Sequence, residues 1–304
     1  MKYVSTSAEK KADDECPLGK LEVRGLRKSY RSGKSVLSAV RGIDLEVRTG
    51  EIFALLGPNG AGKTSTIEIL EGYRSRDGGE LTVLGEDPAT TNLPVWRNRV
   101  GIVLQSTKDG ADLSVAEILT HFAQYYSNPR DVNEVIASVG LEEKRNARGE
   151  HLSGGQRRRL DVALGIIGSP ELLFLDEPTT GFDPEARRAF WALIKSLRDS
   201  GTTIVLTTHY LDEAESLADR VAVINHGEIV EVSTPALLGG RATSLATVSW
   251  LSDSGPKSER TDNPTALIRK LTERYSGEIP ELTVKRASLE DIYLEMIGGA
   301  DEAE

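Results

Sequence analysis

Apolar and polar positions alternate at Leu21–Val23 and again at Ile43–Val47, the two-residue period of strands with one buried face. A continuous apolar run, Ile52–Leu56, stops at a glycine-rich loop, which predicts a strand covered on both faces of a parallel sheet. A helix is predicted from about Lys63, carrying Ile67, Ile69 and Leu70, and further strands at Leu81–Leu84 and Val100–Leu104. From Ser114 the spacing becomes helical. Ser114 and Glu117 match a capping box ahead of Ile118, Leu119 and Phe122, and a second helix is predicted over Asp131–Val139, stopped by Gly140. Strands return at Leu172–Leu175, Thr203–Thr207 and Val221–Ile224, with helices at Phe190–Leu197 and Glu213–Ala218 between them. Strand and helix in alternation predict an α/β fold over residues 20–235, with a helical insertion over about 106–168.

The pattern shifts near Pro235. Ser233–Arg241 is expected to be a connector, followed by a strand at Thr247–Leu251, a polar loop at Ser252–Asp262, a helix over Pro264–Tyr275, a strand at Leu282–Lys285 and a helix at Leu289–Ile297 capped by Ser288. These make a small α+β C-terminal module, residues 236–304. Residues 1–19 are polar, lack an apolar stretch and are expected to be a disordered leader.

Composition narrows the function. The 304 residues are 38% hydrophobic and 28% charged, an ordinary globular balance, and the formal net charge is −10. An acidic surface repels phosphate backbones, so no nucleic-acid partner is expected, and the short run Arg157–Arg158–Arg159 is expected to be a basic helix face. The single cysteine, Cys16, allows no disulfide within the chain, which fits a reducing cytoplasm. No stretch approaches the roughly 18–20 apolar residues of a membrane helix. Any membrane role therefore requires a second chain to supply the spans.

The chemistry sits in three motifs. Gly57, Pro58, Asn59, Gly60, Ala61, Gly62, Lys63 and Thr64 match G-x-x-x-x-G-K-[ST], a loop whose backbone N–H groups turn inward around phosphate oxygens at a helix start. Lys63 would reach the β- and γ-phosphates and Thr64 would ligate Mg²⁺, with Ser65 beside it. Leu172–Asp176 followed by Glu177 is a buried strand delivering two carboxylates to a sheet edge. Asp176 would hold Mg²⁺ and Glu177 would polarise the attacking water. Leu152–Ser153–Gly154–Gly155–Gln156 places a capping serine and two glycines at a second helix start, a second anion site in one chain.

With that pentapeptide the sequence resembles the nucleotide-binding subunits of ABC transporters, over roughly residues 20–235 and with the motifs in the family's order. The resemblance implies a P-loop NTPase of the ABC ATPase type that binds and hydrolyses ATP with Mg²⁺. It implies a head-to-tail homodimer in which the phosphate loop of one subunit and Ser153 and Gly155 of the other enclose each ATP. It also implies that Tyr30 stacks on adenine, that Gln105 senses Mg²⁺ and the attacking water, that His209 contacts the γ-phosphate, and that Asp183 crosses the dimer interface. Phe182 stands where the family more often has leucine. Thr207–Glu215 and Ser288–Glu295 further resemble the ATPase subunits of daunorubicin-resistance-type bacterial drug exporters, which implies a separate transmembrane permease and a peripheral position on the cytoplasmic face of the membrane. The alternatives are a soluble ABC ATPase acting on ribosomes or DNA, and an importer ATPase. The first is disfavoured by the single ATPase domain, the acidity and the absence of sustained heptads between Gln105 and Ser153. The second is disfavoured by the short, mixed region after residue 240.

Overall fold

The computed structural model describes residues 20–33, 35–104, 112–275 and 277–301. The expected leader, residues 1–19, and Gln105 lie outside the described residues. β1 (Leu21–Ser32) and β2 (Ser35–Val47) pair antiparallel, and β3 (Ile52–Leu56) leads through the glycine loop into α1 (Lys63–Leu70). β4 (Gly78–Val83), α2 (Leu93–Arg97) and β5 (Val100–Val103) follow. Then come the helices of the insertion: α3 (Val115–Ala123), α4 (Val132–Ser138) and α5 (Gly154–Ile166). β6 (Leu172–Asp176), α6 (Pro184–Asp199), β7 (Thr203–Thr208), α7 (Leu211–Leu217), β8 (Arg220–Asn225) and β9 (Glu228–Ser233) complete the main body. Beyond it lie β10 (Ala246–Ser252), β11 (Gly255–Thr261), α8 (Pro264–Arg274), β12 (Thr283–Lys285) and α9 (Leu289–Asp301).

The central sheet has the order β5-β6-β7-β3-β8-β9, parallel from β5 to β8 and antiparallel at β9. A second, antiparallel sheet, β2-β1-β4, covers one face. The unbroken apolar run of β3 follows from this layering. Phe53 and Leu55 enter a core with Leu21, Leu26, Ile43, Ile67 and Trp96, while Ile52, Ala54 and Leu56 enter a second core with Phe190, Ile194, Leu160 and Ile118. Since successive side chains of a strand point to opposite faces, a strand between two cores must be apolar at every position.

The capping box on α3 is present, with the Ser114 hydroxyl accepting from Glu117 N–H at 3.3 Å and the Glu117 carboxylate accepting from Ser114 N–H at 2.8 Å. Asp131 caps α4 in the same way, its Oδ1 accepting from Asn133 and Glu134 N–H at 2.8 and 3.0 Å. Two expectations need correction. The polar stretch expected as a loop after Ser252 contains β11, which pairs residue for residue with β10 as the exposed edge of the order β11-β10-β12. An edge strand facing water on both sides needs no apolar alternation, so its composition hid it. The second concerns the arginine run. Arg158 is 5% exposed, so this part of α5 is not a solvated basic face. The C-terminal helix α9 also reaches back to the main body: Leu289 and Tyr293 join the core that holds Leu217 of α7.

Candidate functional site

Three of the four adjacent strands β5, β6, β7 and β3 deliver a described candidate residue from their C-terminal ends, where crevices of open α/β sheets form. After β3 the chain forms the loop Gly57–Gly62 and enters α1 with Gly62 at φ 105°, a conformation only glycine adopts without strain. A side chain there would also stand 2.3 Å from the Ala39 carbonyl oxygen. Asn59 and Gly60 form the exposed rim, Pro58 is half-buried and Ala61 is buried beneath. The Lys63 ammonium is buried, donating to Gly57 O at 2.8 Å and Pro58 O at 3.2 Å, so it is stretched along the loop it would share with an anion. Thr64 is exposed, and the Ser65 hydroxyl accepts a 3.0 Å bond from Tyr30. The Tyr30 ring is half-buried rather than in the core, flanked by Lys28 and by Arg74 at 5.8 and 5.2 Å from its centroid.

β6 ends in Asp176, and Glu177 follows. Asp176 Oδ1 accepts from the Thr207 hydroxyl at 2.5 Å, and the same hydroxyl accepts from Glu177 N–H at 3.0 Å. Glu177 Oε1 lies 3.5 Å from Lys63 Nζ and 3.3 Å from His209 Nδ1. One carboxylate therefore bridges the loop lysine and the histidine that follows β7. Glu177 sits at φ 41°. A left-handed backbone costs a non-glycine residue about 1–2 kcal/mol, and it persists only where surrounding contacts impose it. Burial draws the Lys63 ammonium below its ordinary range, against the opposing pull of Glu177 and Asp176.

The second helix start lies on the insertion. Ser153 caps α5 in a reciprocal box, its hydroxyl accepting from Gln156 N–H at 3.3 Å and its N–H donating to Gln156 Oε1 at 3.0 Å. A side chain at Gly154 would meet nothing within 4 Å, and one at Gly155 only the Ala186 methyl at 3.7 Å. Neither glycine is required by packing inside the subunit. Asp183 caps α6, accepting from Glu185 and Ala186 N–H at 3.0 and 2.8 Å, with Phe182 edge-on to Phe190 at 5.7 Å.

A family model for the ABC transporter matches residues 40–180. The daunorubicin/doxorubicin resistance ATP-binding protein of Streptomyces peucetius is 35% identical, over 93% of this chain and 93% of that protein. The chain belongs to the ABC transporter family. The Nod factor export ATP-binding protein I of Cupriavidus metallidurans is 37% identical over 91% of this chain and 97% of its own length. Among solved structures, a dimeric ATP-binding cassette in a post-hydrolysis state bound to ADP and Pi superposes with a TM-score of 0.64 at 22% identity, over 70% of this chain and 98% of that one. The fold is thus that of an ABC ATPase cassette, and the chain is an ATP-binding, ATP-hydrolysing ABC subunit.

Three groups in this ABC cassette escaped the motif reading. Thr207 and Arg158 hold the backbone around Glu177, and Glu71, at the end of α1, is buried beside the site. Burial, with the charges of Asp176 and Glu68 behind it, pushes the Glu71 carboxyl up to about 8. None of these carries a local sequence signal, because each acts through segments distant in the chain. The donors also suit Mg²⁺. The Thr64 hydroxyl and Asp176 are hard oxygen groups, and among the described residues no cluster of three or more His, Cys, Asp or Glu forms a dedicated cage. Mg²⁺ is commonly held by one or two protein oxygens together with substrate phosphates and water.

Proposed function

We propose that two copies of this chain enclose two ATP molecules head to tail and energise export through a separate membrane-spanning chain, from a peripheral position on the membrane's cytoplasmic face. The observation that carries the reading is the pair of signature glycines that packing inside the subunit does not require, Gly154 with open space above it and Gly155 facing only the Ala186 methyl. Such glycines serve a close approach from outside the subunit, and a phosphate chain held on the partner's loop is an occupant of matching chemistry. In this arrangement Tyr30 stacks on adenine, residues 57–65 cradle the phosphates, and Ser153, Gly154, Gly155 and Gln156 close over the nucleotide of the other subunit. Thr64 and Asp176, with Gln105, are the groups that hold Mg²⁺, which supplies charge neutralisation at the β- and γ-phosphates. Glu177 accepts the proton of the attacking water, His209 steadies the transferred phosphoryl group and the Glu177 carboxylate, and Asp183 faces the partner.

Export, rather than import, is supported by the near full-length similarity to ATP-binding proteins named for drug resistance and Nod factor export. The need for a second chain is supported by the absence, among the described residues, of any helix long and apolar enough to cross a membrane. A cavity of about 290 Å³ between the insertion and the sheet is lined by Ile102, Val103, Leu104, Phe122, Tyr126 and Leu164. Ile102 and Leu104 are exposed there, just before Gln105 in the sequence. An apolar cytoplasmic helix of the permease fits this groove. Purification of the tagged chain from native membranes should bring down a multi-span chain lacking a phosphate loop. Leu104→Glu should abolish that association while leaving the ATPase activity of the isolated chain. Recovery of ribosomal or DNA-bound proteins with no membrane chain would reject the transport reading.

A further inference from the structure

The arginine run after the signature glycines contains a residue that the ATPase reading leaves without a role. The Arg158 guanidinium is buried inside the subunit, and its three nitrogens each reach the backbone of a different residue. Nε donates to Pro178 O at 2.9 Å, Nη2 donates to Asp176 O at 2.9 Å, and Nη1 donates to Leu104 O. Asp161, one turn further along α5 and also buried, approaches Nη1 at 3.9 Å and answers the charge. A planar fork spreads its donors over three nitrogens in fixed directions and so serves three separated carbonyls, whereas the three donors of a lysine radiate from a single nitrogen.

The positions of those carbonyls give the contact its meaning. Leu104 follows β5 and directly precedes Gln105 in the chain. Pro178 follows the carboxylate pair. The Asp176 carbonyl belongs to the peptide that joins Asp176 to Glu177. That one peptide is held at both ends: its C=O by Arg158, from the signature helix, and its N–H by Thr207, from the strand that leads to His209. The left-handed backbone of Glu177 lies immediately beyond. A helix that begins at Ser153 is thereby pinned, five residues later, to the backbone that aims the Glu177 carboxylate.

We propose that Arg158 is a positioning residue that locks the signature helix in register with the Asp176–Glu177 peptide, so that a subunit's own water-activating carboxylate and the Ser153 cap it offers to its partner's ATP move as one body. The linkage between the two nucleotides rests on the sandwich reading; the hold on Glu177 within one subunit does not. The bonds of Arg158 to residues 104, 176 and 178 hold the backbone behind Glu177 rather than the phosphate cradle, so its loss should separate turnover from nucleotide affinity.

The test uses Arg158→Lys, which keeps the charge but has no fork, and Arg158→Gln. The second variant removes the buried charge and keeps an amide donor, so it guards against failure of the first to fold. Each is made in the full chain and in a Glu177→Gln background. A fluorescent ATP analogue reads affinity, phosphate release reads kcat, and light scattering reads ATP-driven dimerisation. Affinity is expected to stay within about threefold of the parent while kcat falls by about 100-fold, the usual consequence of misplacing a reacting group by about 1 Å. In the Glu177→Gln background the ATP concentration at half-dimerisation is expected to rise by about tenfold. A parental kcat in Arg158→Gln, or loss of affinity in proportion to kcat, overturns the proposal. If Glu177→Gln alone fails to dimerise with ATP, the sandwich reading fails instead, and the split between kcat and affinity still judges Arg158.

Discussion

Replacing Lys63 by methionine isolates the phosphate interaction. The two side chains have similar length and the site is buried, so the substitution preserves shape and removes only the ammonium. In the free protein that ammonium bonds to Gly57 O and Pro58 O and stands 3.5 Å from Glu177, contacts partly offset by the cost of burying it. Its gain with ATP is a charge-assisted bond to phosphate, worth about 1.5–3 kcal/mol, or about 10- to 150-fold in Kd. At an ATP concentration about 100 times the wild-type Kd, ATP stabilises the parent by about 2.7 kcal/mol. A variant binding about 100-fold more weakly gains about 0.4 kcal/mol at the same concentration. Thermal melts with and without ATP, checked by direct titration, read that difference without reference to hydrolysis. Equal stabilisation of parent and Lys63→Met by ATP would show that the loop lysine does not meet the phosphates, and the glycine loop would then be no more than a tight turn.

Gly155→Ala should fold with an unchanged melting temperature, because a methyl there meets only Ala186 at 3.7 Å, yet it should lose most ATPase activity. A clear fall in melting temperature would assign the glycine to packing instead. Glu71 predicts a pH signature. Its folded pKa, about 8, lies above the ordinary value of 4.5, so between those limits the native state holds a proton that the unfolded chain has released. Its burial therefore costs nothing below about pH 4.5 and an increasing amount as pH rises towards 8. Urea melts of wild type and Glu71→Gln should diverge in favour of the variant by about 3 kcal/mol between pH 5.5 and 8. A pH-independent difference would place the carboxyl in contact with water or a cation.

Sequence and structure agree most closely where burial and motif coincide. β3 and β6 are enclosed by two cores, and that constraint writes itself as the apolar runs Ile52–Leu56 and Leu172–Leu175, each ending at candidate site residues. The caps at Ser114 and Ser153 were legible because a cap is a local bond over three residues. β11 was not, because an edge strand is held by backbone pairing that leaves no apolar mark. α2 escaped as well: its Trp96 is buried by a fold-level contact, an indole N–H donated to Val83 O. Arg158 shows the same limit at the site. Three arginines in a row resemble a solvated face until residues 104, 176 and 178 are brought around the middle one.

The central claim is that Glu177, bridging Lys63 and His209, activates water on an ATP enclosed between two subunits. Glu177→Gln keeps the shape of the side chain and removes the base, a loss worth about 10²- to 10⁴-fold in rate, or about 2.7–5.4 kcal/mol of barrier. The measurement is turnover and oligomeric state of this variant at saturating ATP. The account predicts ATP binding at wild-type affinity, a kcat reduced by at least about 100-fold and a stable ATP-bound dimer. A variant that turns over ATP at the wild-type rate, or that stays monomeric with ATP bound, would contradict it.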